Sequence, residues 1–500
     1  MDLNMNERKS GLHGRSSTSV NSTGNKSFKR LFARFAEKTS MQGVFYIYSA
    51  KNRGQKIFWI CLLIACTVGM GSHLYYLINQ FTKYPVNTKI ELGFSNLKFP
   101  AVTICNVNPI RRSKLYIASQ ELQDMVEHLT QVGYGDYVDA HYDIYDIDYD
   151  FGEIVDDRIW KLEEFRRLYK KEKRETKIEL GHQIEDMLIS CTVGKFKCFA
   201  SNFTVLPHHI YGNCFTLQTG DMKITKAGPS NGLSLILYMD RNEYLKQISE
   251  GFGARVQVHD IGTFPFPDEE GIFVPSASET QIGLRMVTIE RLGGLYGNCS
   301  GDRNYSRIYG YKYTRYLCQI LCSNDWIFHT CDCHAPDVKD VSPLVNKFCT
   351  NKSEKECMHK ELIRQNKNKG DCKCWNPCSE NQFLKTISHR NWPSEDYLTI
   401  LINESVCSRI PQKCIDATLL YMGKDLSTKS LDYVKVDIFY EDLNYERIVE
   451  TPEIENAQFM SDFGGAVGLW IGFSVLSFFE LVQLITECVR IACCPNCCRN

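Results

Sequence analysis

The chain has 500 residues, 43% of them hydrophobic, with 58 Lys and Arg against 59 Asp and Glu. That length can hold two or more domains, and the near-neutral balance argues against nucleic acid as the main partner. No Gly-rich phosphate loop, no internal repeat and no nucleophile beside a base occurs, so an enzyme reading has nothing to stand on and no cofactor is expected.

Residues 1–56 form an N-terminal region whose first 30 residues, rich in Ser, Asn, Gly and Lys, read as a disordered tail. Ile57 to Ile78 contains no Asp, Glu, Lys or Arg, and its 22 residues reach about 33 Å as a helix, enough for a bilayer. Before this run stand 11 Lys and Arg against 3 Asp and Glu, with Lys51, Arg53 and Lys56 at its edge; only Lys83 and Lys89 follow closely. The positive-inside rule puts the N-terminus in the cytosol. The run is too long and starts too late for a cleaved signal peptide. A second span at residues 457–486 brings the C-terminus back to the cytosol and leaves residues 79–456 outside the cell.

Cysteine usage agrees with that placement. Of 23 cysteines, 16 lie in the outer segment, as expected of a disulfide framework in an oxidising compartment. The spacing Cys318-x3-Cys322, Cys331-x-Cys333 and Cys372-x-Cys374-x3-Cys378 also admits zinc ligands, but the compartment favours bridges. Glycosylation sequons at Asn202, Asn298, Asn304, Asn351 and Asn403 fit the same side, and no metal site is assigned.

Within this ectodomain, Phe99 to Asn106 has the composition of a buried strand, and Leu233 to Met239 and Ala254 to His259 are strand-like. Between Asp136 and Asp157, carboxylates such as Asp139, Asp143, Asp146, Asp148 and Asp150 interleave with tyrosines. This cluster is either a solvated loop, the favoured reading, or a site for a cation or a basic peptide. Trp160 to Arg174 reads as an exposed helix laced with ion pairs. His259 and His334 are expected to be structural. Tyr433 to Asn444 alternates Val434, Val436, Ile438 and Tyr440 and reads as a strand returning the chain to the membrane.

The second span carries glycines every fourth residue, Gly464, Gly468 and Gly472, behind Asp462, with Glu480 further in. Such a helix can stand close to copies of itself. Intramembrane carboxylates are expected to face protein or water, so the pattern describes a cation pore; a plain helix-packing face remains the alternative. The tail, residues 487–500, ends in Cys493, Cys494, Cys497 and Cys498, which are candidates for acylation ahead of zinc binding or plain reduced thiols.

Over roughly residues 35–490 the chain resembles the degenerin, epithelial sodium channel and acid-sensing channel superfamily. The matching pieces are Phe99 to Asn106, Gly181 to Cys191, Leu443 to Glu446 and Asp462 to Ser474. The resemblance implies an α+β membrane protein in which two transmembrane helices flank a disulfide-rich mixed α/β ectodomain, assembled as a homo- or heterotrimer in the plasma membrane. It implies a sodium-selective, amiloride-sensitive pore, with the filter at Gly472, Phe473 and Ser474, a gate near Asp462, Gly464 and Gly465, the degenerin position at Ser461 and amiloride contact at Gly468. It also implies bridges Cys105 to Cys214, Cys191 to Cys198, Cys299 to Cys378, Cys318 to Cys374, Cys322 to Cys372, Cys331 to Cys357 and Cys333 to Cys349, leaving Cys407 to pair with Cys414.

Three departures from the family pattern stand out. The family's cytosolic His-Gly is Gln42-Gly43 here, the wrist tryptophan facing Tyr84 is Tyr296, and the histidines that follow the wrist tyrosine in proton-gated members are Pro85 and Val86. The expected stimulus is therefore an extracellular peptide of basic character, with protons, force or constitutive opening as alternatives. A non-conducting surface receptor and an ATP-gated channel are rivals from other classes, disfavoured by the Gly-x-Ser segment and by the lack of an evident extracellular basic cluster.

Overall fold

The computed structural model describes residues 20–39, 42–131, 157–220, 222–245, 248–301, 303–335, 341, 347–349, 351–367, 372–402 and 430–493. The acidic segment up to residue 156, the Cys407 and Cys414 pair, Asn403 and residues 494–500 lie outside these. Two compact units emerge, residues 1–87 with 451–500, and residues 88–450.

The larger unit is mixed α and β. Its strands in chain order are β1 (Val86–Phe94), β2 (Leu97–Lys98), β3 (Ala101–Asn106), β4 (Leu188–Val193), β5 (Phe196–Lys197), β6 (Phe203–His208), β7 (Gly212–Leu217), β8 (Lys223–Ile224), β9 (Leu233–Tyr238), β10 (Gly253–His259), β11 (Ile272–Pro275), β12 (Ser278–Glu290), β13 (Ser379–Asn391) and β14 (Tyr433–Pro452). One sheet runs β13-β12-β14-β9-β4-β5 with β1 paired to β14; a second runs β11-β10-β3-β7-β6. β3 and β10 are buried along their whole length; in β10 the polar Arg255, Gln257 and His259 are buried with hydrogen-bond partners in Pro267, Glu270 and Thr103.

The two sheets share one core, in which Phe99, Val102, Ile104, Leu233, Leu235, Leu237, Val434, Val436 and Ile438 are buried. β14 runs parallel to β12 and antiparallel to β9, with a register shift where Leu284 and Met286 face Tyr440 and Tyr445. It continues to Pro452, eight residues beyond the expected end at Asn444. Across β12, Glu279 is buried yet ion-paired with Arg390 of β13 and with Lys435 of β14 at 2.9 Å, so the one carboxylate ties three strands.

The charged stretch expected to be an exposed helix is instead a helix Asp157–Lys171 with a buried face, followed by a separate turn of helix at Arg174–Leu180. Phe165, Leu168 and Tyr169, spaced three and four apart, pack with Leu122, Met125 and Val126 of the Gln120–Gln131 helix in a second core. High charge content on three faces concealed a one-sided apolar stripe.

Seven disulfides join Cys105 to Cys214, Cys191 to Cys198, Cys299 to Cys378, Cys318 to Cys374, Cys322 to Cys372, Cys331 to Cys357 and Cys333 to Cys349. Three of them have a cysteine in the helix Arg315–Cys331, one of these reaching Cys357 of the helix Lys352–Lys367, and Cys333 to Cys349 lies between the two helices. With these sulfurs paired, none is a thiolate able to ligate zinc. His334 stacks on Phe328 at 4.2 Å and bonds Asn324, and His259 is buried against Thr103, so both serve packing. Asn202, Asn298 and Asn351 are exposed.

Gly181 explains its own identity. A Cβ there would sit 2.7 Å from the amide of Asn213, whose Nδ2 donates to the carbonyls of Ile178 and His182. The adjacent His182 ring is buried and bonds Asn108, which also bridges Ile110, Leu245 and Ser249.

Candidate functional site

The smaller unit is helical. Arg53–Phe81 forms one helix of 29 residues, the one described helix that is by itself long and apolar enough to cross a membrane. None of its residues is buried in the chain: Ile57, Phe58 and Val68 are all more than 60% exposed, as side chains facing lipid would be.

The second apolar segment is not the single continuous helix expected for residues 457–486. It is two helices, Asn456–Ile471 and Val475–Cys493, bent by 70° at a break, and the pair meets the length and apolarity of a span only when taken together. The break is at the Gly-Phe-Ser triplet. Gly472 has φ 66°, a left-handed conformation that glycine adopts without a Cβ penalty, and its N–H closes on the carbonyl of Gly468 at 2.9 Å. Ser474 then restarts the helix: its Oγ accepts from the Ser477 N–H, and its own N–H donates to Ser477 Oγ at 3.1 Å.

This geometry has a chemical consequence. A C-terminus and an N-terminus meet within three residues, so the last carbonyls of the first half have no intrahelical partner. Irregular backbone at membrane depth persists where it lines a polar path, and backbone carbonyls replacing a hydration shell are a standard means of cation selection.

The remaining candidate residues cluster around this segment. Gly464 and Gly465 have open space where a Cβ would project, and Gly468 lies against the Phe473 carbonyl, with 3.7 Å to an added Cβ. Ser461 is exposed one residue before Asp462, whose Oδ1 accepts from Gln458 at 2.7 Å. Glu480, on the second half, accepts from Thr39 Oγ1 at 3.1 Å, bringing the segment before the Arg53–Phe81 helix onto the Val475–Cys493 helix. Gly43 is the second residue of the Gln42–Ser49 helix, where an added Cβ would meet Leu63 Cδ1 at 2.8 Å, and Tyr46 stacks on Trp59 at 4.4 Å. The side chain of Gln42 lies outside the described residues. Phe81 and Phe459 stack at 4.3 Å, tying the Arg53–Phe81 helix to the start of the second apolar segment.

Tyr84 has φ 48° and its ring lies 6.0 Å from that of Phe81. Tyr296 is half-buried in the turn before Cys299, in the other unit.

The family described as amiloride-sensitive sodium channel matches residues 35–484. The chain belongs to this family. Its members are plasma-membrane ion channels and not enzymes. Among similar proteins, the epithelial sodium channel subunit alpha of Xenopus laevis is 26% identical, over 93% of this chain and 82% of its own. The FMRFamide-activated amiloride-sensitive sodium channel of Cornu aspersum is 25% identical, over 93% and 84%. The degenerin-like protein unc-105 of Caenorhabditis elegans is 30% identical, over 62% of this chain and 35% of its own. The superfamily resemblance read from the motifs is thus borne out.

For this channel-family chain, sequence reasoning located the Gly-Phe-Ser triplet but not the helix break. A signal was present: glycine followed two residues later by Ser474, with Ser477 at the third position after it, has the spacing of a helix stop and a new N-cap. Thr39 had no sequence signal, because a bond across 441 residues leaves no local pattern.

Proposed function

We propose that the chain is a subunit of a trimeric, sodium-selective, amiloride-blocked channel, with residues 57–78 and 457–486 crossing the membrane, both termini cytosolic and residues 79–456 extracellular. The observation that carries this reading is the broken apolar segment at Gly472, Phe473 and Ser474. Three copies around an axis would form a belt of backbone carbonyls there. The open faces of Gly464 and Gly465 favour close approach of those copies, with the gate at Ser461 to Gly465, amiloride at Gly468 and Glu480 lining the inner mouth. Tyr84 and Tyr296 would couple ectodomain movement to the pore, and Asn202, Asn298, Asn304, Asn351 and Asn403 would carry glycans.

The stimulus is read as an extracellular peptide of basic character. Support comes from the FMRFamide-activated relative and from the run of carboxylates around Asp143, Asp146 and Asp148. Charge reversal at these three positions should lower ligand affinity and its salt sensitivity.

The deciding experiment is whole-cell current from the chain carrying Ser461→Trp, which should stand open without its stimulus, alone and with related subunits, in sodium and then potassium, with and without amiloride. A sodium-preferring, amiloride-blocked current supports the reading. Silence in every combination, with surface expression verified, overturns it in favour of a non-conducting receptor.

A further inference from the structure

His73 sits two-thirds of the way along the first spanning helix, in a run otherwise without charged side chains. A histidine in such a helix is costly and is normally found with a polar partner. Its partner is Trp470: the indole Nε1–H donates to His73 Nδ1 at 3.3 Å. An indole N–H can only donate, so His73 Nδ1 is the acceptor. One turn earlier on the same face is Gly69, where an added Cβ would lie 2.7 Å from Trp470 Cζ3 and 2.8 Å from Cη2. The indole is therefore held at two points, its six-membered ring over the bare backbone of Gly69 and its N–H on His73.

Trp470 is in the last turn of the first half, two residues before Gly472 turns left-handed. The side chain that fixes the rotation of that turn also fixes where its free carbonyls point. We propose that His73 is a positioning residue for ion selection: through its bond to Trp470, on a ring seated over Gly69, it sets the orientation of the backbone at Gly472 to Ser474. The inference rests on the reading of that triplet as the selectivity filter. It requires an acceptor at position 73, not a titrating group, so an amide should replace the imidazole where an alkyl side chain cannot.

The test measures sodium-to-potassium permeability from reversal potentials of the full-length chain, in whichever subunit combination conducts, with surface labelling of each variant. His73→Leu and Trp470→Phe should each reduce the ratio by about fivefold, the effect of losing one interhelical hydrogen bond. The double variant should be no worse than either single one, because both remove the same bond. His73→Gln should restore the ratio to within about twofold. Gly69→Ala, which leaves His73 intact but displaces the ring, should reproduce the loss. Should His73→Leu fail to reach the surface, Trp470→Phe and Gly69→Ala carry the test. A wild-type ratio in His73→Leu, or multiplying losses in the double variant, would overturn the inference while leaving the filter reading intact. Lack of sodium preference in the wild type would instead remove the filter reading, and the inference with it.

Discussion

Ser474 and Ser477 exchange hydrogen bonds across the bend in the second apolar segment. Each backbone N–H is directed at the other residue's hydroxyl, at 3.1 and 3.3 Å, and Ser477 is buried. This reciprocal cap lets Val475–Cys493 begin as a helix in its own right directly after the left-handed Gly472.

Ser477→Ala removes one half of the cap and should cost about 1 kcal/mol of local stability. Because the other half holds Ser474, the expected result is a lowered sodium-to-potassium permeability with unchanged surface expression. Ser477→Thr keeps the hydroxyl and should preserve selectivity. Reversal potentials under bi-ionic conditions distinguish the two.

Ser461 is exposed and precedes Asp462 on the face leading to Gly464 and Gly465, where a Cβ would meet open space. A bulky side chain there should keep neighbouring copies from closing. Ser461→Trp is expected to give a standing, amiloride-blocked current without stimulus. An unchanged resting conductance would count against placing the gate at this position.

Gly212 opens β7 with φ 68°, and an added Cβ would stand 2.0 Å from the carbonyl oxygen of Pro109. Neither the backbone conformation nor the neighbour can yield cheaply, since the contact is main chain. Gly212→Ala should destabilise the ectodomain by more than about 2 kcal/mol and abolish surface delivery. Cell-surface biotinylation reads this directly, with Gly220→Ala as a comparison at a positive-φ glycine that has no close neighbour.

Burial holds the His259 imidazole down at about 4, and burial followed by the nearby Arg111 charge holds His182 down at about 3. Both are neutral when folded, whereas the unfolded chain binds protons with a pKa near 6.5. Their contribution is therefore fully present above about pH 6.5 and is lost as pH falls towards about 4 for His259 and about 3 for His182, by about 3 kcal/mol for His259 across its window. Thermal unfolding of the secreted ectodomain between pH 7 and 4.5 should show a falling midpoint, shallower in His259→Gln. A flat profile in the parent would refute the assignment of these histidines as buried and neutral.

Local pattern alone determined much of this protein. The charge-free run of 22 residues lies within the Arg53–Phe81 helix, and the β-branched run Ala101 to Asn106 is a buried strand. These depend on composition and period, which adjacent residues carry. The family-specific pieces, such as the contiguous Asp462 to Ser474, did the same for the family.

What the tertiary structure decided depends on residues far apart in the chain. The charged Asp157–Lys171 helix is half-buried because the Gln120–Gln131 helix offers its stripe a partner. His73 and Thr39 meet Trp470 and Glu480, 397 and 441 residues away. A hydrogen bond across that separation is a property of packing, and no window of sequence contains both ends.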